Sequence, residues 1–222
     1  MLSERVLEVL SMLPLATAET VYMTFVSTFF ACIMGFPLGI YLYISSPAGL
    51  SPRRIEYNVI SRLVNLFRSI PFIILMVLLI PLTRFIVNTS IGPTAAIIPL
   101  SIAAAPFVAR VAEAALAEVD QGVLTAARAM GSTNFQIIRK VLIPEAMPAL
   151  VSGLALTIIN LIAYSAMAGA IGGRGLGDLA IRYGYFRFRT DVAIGAVIVI
   201  LLLVEAVQII GTIISRSLLS KR

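Results

Sequence analysis

The chain has 222 residues, 59% of them hydrophobic and 13% charged, against about 45–50% and about 25% in an ordinary soluble domain. A mean hydropathy of +1.01 is more than a water-soluble core of this size can use, so lipid is the solvent for most of the protein. Histidine is absent and Cys32 is the single cysteine, which excludes a His-based triad, a His metal site, a disulfide framework and a cysteine zinc cage. At the start of the chain, Leu2, Val6, Val9, Leu10 and Leu13 recur at helical spacing among Glu4, Arg5 and Glu8. That pattern predicts a helix lying in the membrane interface before Pro14, with an uncleaved first span behind it.

A bilayer core of about 30 Å takes about 20 apolar residues in a helix. Uncharged runs of 33, 25 and 28 residues lie between Glu19 and Arg53, between Arg84 and Arg110, and between Glu145 and Arg174. From Arg62 to Arg84 the only interior charge is Arg68, and from Asp191 to Arg216 it is Glu205. Five spans follow, at about 20–44, 63–84, 92–112, 147–171 and 193–214, in an all-α, single-domain chain over 1–222. The net charge of +6 matters through its placement. With the N-terminus outside, the inner segments collect Arg53, Arg54, Arg62, Arg110, Arg128, Arg139, Lys140, Arg216, Lys221 and Arg222. The outer ones hold Arg5, Arg84, Arg174, Arg182, Arg187 and Arg189, so the bias favours N-out and C-in.

The first span carries a stripe of Thr24, Thr28, Ala31, Gly35 and Gly39, and the third offers Ser101 and Ala103 to Ala105. Small residues of this kind let backbones approach in lipid. In the second span Pro71 predicts a kink, which beside a pathway can serve as a gate with Ser69. The fourth places Gly153, Thr157, Asn160, Tyr164, Met167 and Ile171 on one face. That face is either a packing surface or the wall of a water-lined pathway for a small, partly apolar, zwitterionic solute, without a fixed charge of its own. Arg68 and Glu205 are the ionisable groups inside spans. The simpler reading of both is structural, with the Arg68 stem snorkelling to the interface.

The connection from about 113 to 146 is too polar to span and too patterned for a loose loop. Val123, Leu124, Ala127 and Met130 form an apolar helical face, and Gly131 fits a left-handed helix stop. Thr133 and Gln136 have capping-box spacing and begin a second helix through Phe135, Ile137, Ile138 and Val141. Pro144 and Pro148 precede the fourth span. The result is a helix–turn–helix knob on the cytoplasmic side, either docked on a protein partner or resting on the membrane surface.

These residues resemble a known family. Thr125, Ala126 and Ala127, then Met130 and Gly131, then Val141, Ile143 and Pro144 are similar to the EAA loop of binding-protein-dependent ABC import permeases, with Thr125 in place of the Glu. An upstream Glu113-Ala114-Ala115 lacks the required Gly, because Val119 stands there. Further runs, Phe67 to Leu75, Ala104 to Phe107, Arg128 to Gly131, Tyr164 to Met167, Gly175 to Gly177 and Tyr183 to Tyr185, resemble permeases of methionine-uptake ABC importers. The resemblance covers nearly the whole chain. It implies the type I importer fold, a coupling loop over about 118–146, and a bacterial inner-membrane location. It further implies a homodimer, two copies of an ABC ATPase in whose clefts the knobs dock, and a periplasmic or lipid-anchored substrate-binding protein. It makes Thr125, Ala126, Ala127, Met130, Gly131, Val141, Ile143 and Pro144 the ATPase-coupling residues. Ser69, Pro71, Thr157, Asn160, Tyr164, Ser165 and Met167 become the pathway and gate residues.

The sequence contains no Gly-Lys-Ser/Thr phosphate loop, since its lysines are Lys140 and Lys221. Gly175-x-Gly177-x-x-Ala180 mimics a dinucleotide loop only faintly, with no strand pattern before it. The expectation is therefore a non-catalytic subunit without cofactor, metal or nucleic acid, importing L- or D-methionine while a partner hydrolyses ATP. The alternatives are the same machine for another amino acid or small solute, and a stand-alone secondary transporter.

Overall fold

The computed structural model describes residues 2–220, with side chains from Leu7 onward. Expectations that rest on the side chains of Leu2, Arg5 and Val6, or on Lys221 and Arg222, lie outside the described residues. Helix α1 (Leu2–Ser45) is a single 44-residue rod that passes through Pro14 and Pro37 without ending. The helix therefore does not end at Pro14, where the sequence pattern predicts a boundary. A proline removes one ladder hydrogen bond, and tertiary packing outweighs that loss. Val9 and Ala16 bury against Leu176, Leu179, Val192 and Ala196, and Glu8 pairs with Arg189 at 2.7 Å. Hydrogen bonds to Asp191 and Glu8 hold the Arg189 guanidinium above its ordinary pKa.

The second predicted span is not one straight helix. Helix α2 (Arg54–Ser69) ends where Ile70 turns extended, at φ −74° and ψ 123°. Helix α3 (Phe72–Leu78) starts beyond Pro71 at 97° to α2, and α4 (Ile80–Val87) closes on a left-handed Asn88. Pro71 disfavours helical backbone in the residue before it, which is why the break falls at Ile70.

Helix α5 (Pro93–Ala117) is the hub: 67% of its most apolar stretch is buried. Helix α6 (Gln121–Ala129) forms the first arm of the knob. Helix α7 (Asn134–Ile137) forms the second and runs through wider π-type turns at Ile138–Leu142 into α8 (Ile143–Ala168). After a kink at Ile171 and Gly172, α9 (Gly175–Leu179) and a further π-type stretch at Ala180–Tyr185 cap the end opposite the knob. Helix α10 (Thr190–Leu219) lies at the periphery, with only 6% of its apolar stretch buried.

Among the described residues four helical runs are long and apolar enough to cross a membrane, and the broken α2–α3 pair makes a fifth crossing when counted as one. Among the described residues there are no strands. The stripe of small residues on α1 lies against α5. A Cβ at Gly35 would stand 2.4 Å from the Ala105 carbonyl oxygen, and one at Gly39 would stand 2.5 Å from that of Ala109. The central core joins Met23 and Ala31 of α1, Phe72 and Met76 of α3, Leu100 and Ala104 of α5, and Leu161 and Ala168 of α8. Cys32 packs partly buried against it.

Candidate functional site

The knob is built as its sequence specifies. The Asp120 side chain caps α6 by accepting from the Gly122 amide. At the other end the Ser132 amide donates to the Ala127 carbonyl and the Gly131 amide to that of Arg128, with Gly131 at φ +78°. This is a Schellman stop, which demands a left-handed residue at that position. Thr133 and Gln136 then form the predicted capping box. The apolar face divides in a way that periodicity alone does not reveal. Leu124 and Ala127 are buried with Tyr43, Leu50, Leu116, Val119, Ile137, Leu142 and Ala146, whereas Val123 and Met130 stay exposed, Met130 at 79%. Arg128 fixes α6 further by donating to the Leu50 carbonyl at 2.9 Å. One half of the face roots the knob in the bundle and the other half is free.

Of the remaining sequence-predicted coupling residues, Thr125, Ala126, Gly131 and Pro144 are exposed, and Val141 and Ile143 pack partly buried against the root. The Thr125 hydroxyl donates back to the Gln121 carbonyl at 2.8 Å. The upstream Glu113 is not part of the knob. It pairs with Arg110 at 2.6 Å on α5, and Arg110 also donates to the Ser61 carbonyl and to the Asn65 side chain.

The face of α8 chosen from sequence divides as well. Thr157 and Ser165 are each about 1% exposed, and their hydroxyls donate to the Gly153 and Ile162 carbonyls of their own helix. Asn160 and Tyr164 open instead onto a cavity of about 280 Å³, whose wall includes Arg68, Phe72 and Phe107. Tyr164 stacks on Phe72 with centroids 4.9 Å apart and planes at 4°. Pro71 shapes this wall by breaking the helix between Arg68 and Phe72. The exposed Ser69 hydroxyl donates to the Asn65 carbonyl at 2.9 Å. Met167, 42% exposed, lies one turn beyond Tyr164 towards the end opposite the knob. Arg68 and Glu205 form no pair with each other; Glu205 is exposed on α10. The sequence reading missed Arg68 as a member of this wall, because linear depth along a straight span hides what a right-angle break brings together.

Gly175 and Gly177 serve packing rather than a nucleotide. The Gly175 and Leu176 amides donate to Glu19 and Thr20 of α1. A Cβ at Gly177 would stand 2.3 Å from the Ala166 carbonyl oxygen.

A bundle around a buried hub helix, a crossing broken beside a polar cavity and a rooted helix–turn–helix at one end define a multi-pass transport permease of the ABC-importer kind. Residues 35–220 match the family described as the inner membrane component of binding-protein-dependent transport systems, and the chain belongs to that family. It is 46% identical over 197 residues to the probable D-methionine transport system permease protein MetI of Pasteurella multocida, covering 89% of this chain and 91% of that one. It is 54% identical over 151 residues to the D-methionine transport system permease protein MetI of Escherichia coli K12, covering 68% and 70%. In structure it superposes on a chain of the MetNI methionine ABC transporter in an inward-facing conformation. The TM-score is 0.88 at 48% identity, over 90% of this chain and 93% of that one.

Proposed function

We propose that this chain is the membrane-spanning subunit of an ATP-driven importer of methionine, with one permease domain over 1–222. The observation that carries this reading is the likeness to MetNI over nine-tenths of the chain at 48% identity. In this reading two copies form the membrane core. The free half of each knob (Val123, Thr125, Ala126 and Met130) faces a separate ATPase, and a binding protein delivers solute at the end capped by α9. The knob end is cytoplasmic, in keeping with the excess of arginine and lysine on that side, and the membrane is the bacterial inner membrane.

The mechanism follows from the root of the knob. Because α7 continues into α8 and α6 is buried against Leu116, Leu142 and Ala146, a displacement of the knob is carried into α5 and α8. These two helices also wall the cavity at Asn160 and Tyr164. Closing and opening of the ATPase thereby switches the pathway between outward- and inward-open forms. In this reading ATP is hydrolysed by the partner ATPase and not by this chain.

Co-purification of a tagged copy, followed by ATPase assays on the reconstituted complex with its binding protein, tests the reading. Hydrolysis stimulated by methionine is expected. Indifference to methionine with a response to another amino acid would reassign the solute, and uptake by the chain without any ATPase would overturn the importer reading. Met167 projects from the same helix as the cavity wall and is expected to line the route. Met167→Ala should change the rate of methionine uptake several-fold while leaving complex yield unchanged, and an unaltered rate removes Met167 from the pathway.

A further inference from the structure

We infer that the cavity between α2, α3, α5 and α8 is a transient binding site for the transported amino acid, with Arg68 as the group that receives its carboxylate. This rests on the importer reading and names the contact by which the pathway recognises its solute.

Arg68 is an exposed residue of α2 that lines this cavity. Its guanidinium carbon stands 5.9 Å from the centroid of the Phe107 ring, and Phe107 is the fifteenth of the 25 residues of α5. A cation over an aromatic face at that distance is held by the ring quadrupole, which leaves its hydrogen-bond donors free. Among the described residues no side chain or carbonyl accepts a hydrogen bond from Arg68, and no carboxylate pairs with it. No Asp or Glu lines the cavity. The Arg68 charge, exposed and without an anion of its own among the described residues, is available to a ligand that supplies one. The planar guanidinium fork matches a carboxylate better than any other side chain does.

The rest of the wall suits the remainder of an α-amino acid. The Asn160 carboxamide, also without a side-chain partner among the described residues, offers an oxygen to an ammonium group. Phe67, Phe72, Phe107, Tyr164 and Leu75 present aromatic and aliphatic surface to a flexible apolar side chain, and a thioether gains from aromatic edges as well. A volume of about 280 Å³ is at the lower end for small-molecule sites, roughly 300 Å³. One fixed charge, one dipole and no acidic counter-ion make a site that orients a zwitterion without trapping it, as passage requires.

The test reads the cavity directly, in the permease–ATPase complex without binding protein. Ala103→Cys places a thiol in the cavity wall, and Cys32→Ala removes the native one. Labelling of that thiol by a small methanethiosulfonate should be slowed by methionine and hardly at all by methioninol, which lacks the carboxylate. Arg68→Gln should raise the methionine concentration for half-protection roughly tenfold to a hundredfold, the loss of one charge-assisted contact. Arg68→Lys, which keeps the charge but not the fork, should lie between. Because the readout is a ratio of rates on the same protein, a low yield of a variant does not mimic the effect. Equal protection by methionine and methioninol, unchanged protection in Arg68→Gln, or no protection by any amino acid overturns the assignment while the importer reading stands. Protection by a different amino acid, still lost in Arg68→Gln, supports the role of Arg68 and refutes methionine as the solute.

Discussion

Gly39→Val is expected to abolish most of the assembled permease, because it forces apart the two helices on which the bundle is built. The added Cβ would stand 2.5 Å from the Ala109 carbonyl oxygen and 2.6 Å from the Ala112 Cβ, and the first of these obstacles is backbone. Overpacking a core costs about 1–3 kcal/mol when side chains can adjust. Here α1 and α5 must separate, which also disturbs the contacts of Leu42 and Val64 with Ala109. Without a hydrophobic drive between helices in lipid, close packing is the main source of association, so the loss is not recovered elsewhere. The measurement is the yield of monodisperse detergent-extracted protein and its unfolding temperature. Ala112→Gly in the same chain should restore only part of the loss, since the Ala109 carbonyl remains. Full yield of the single variant would show that α1 does not need its approach to α5.

That α1 packs closely, though not that α5 is its partner, was legible in the sequence as a stripe of small residues at helical spacing. So were the knob, its stop at Gly131 and its capping box, because each depends on local chemistry: a left-handed residue, or a hydroxyl three residues before a carboxamide. What was not legible depends on long-range packing. Pro14 looked like a helix boundary, yet the helix continues because Val9 and Ala16 find Leu176 and Val192 across the bundle. Pro71 looked like a kink within a straight span, yet the axis turns through 97°. That turn brings Arg68 beside Phe107, Asn160 and Tyr164. Periodicity placed Thr157 and Asn160 on one face, but it could not say that a neighbouring helix buries Thr157 and leaves Asn160 open to the cavity. The snorkelling expected of Arg68 considered its own helix alone, and it did not foresee an aromatic ring of α5 standing 5.9 Å from the guanidinium.

A knob can transmit force only if its two arms keep a fixed angle, and one residue sets that angle. Gly131 has nothing within 4 Å of where a Cβ would be, so steric room does not constrain it and its φ of +78° does. A β-branched residue in the left-handed region costs about 1–3 kcal/mol of local strain. That strain is relieved most simply by undoing the two hydrogen bonds of the stop, from Ser132 to Ala127 and from Gly131 to Arg128. Helix α6 would remain rooted through Leu124 and Ala127, but its exposed edge at Met130 would swing relative to α7. Gly131→Val should therefore leave the spans inserted and the ATPase bound, while uptake per ATP hydrolysed falls about tenfold, the equivalent of about 1.4 kcal/mol in coupling. Gly131→Asn should keep most of the coupling, because asparagine tolerates the left-handed region. Parallel hydrolysis and uptake assays in proteoliposomes separate the cases. An unchanged ratio in the valine variant would mean that the knob bends without consequence and that force reaches α5 and α8 by another route.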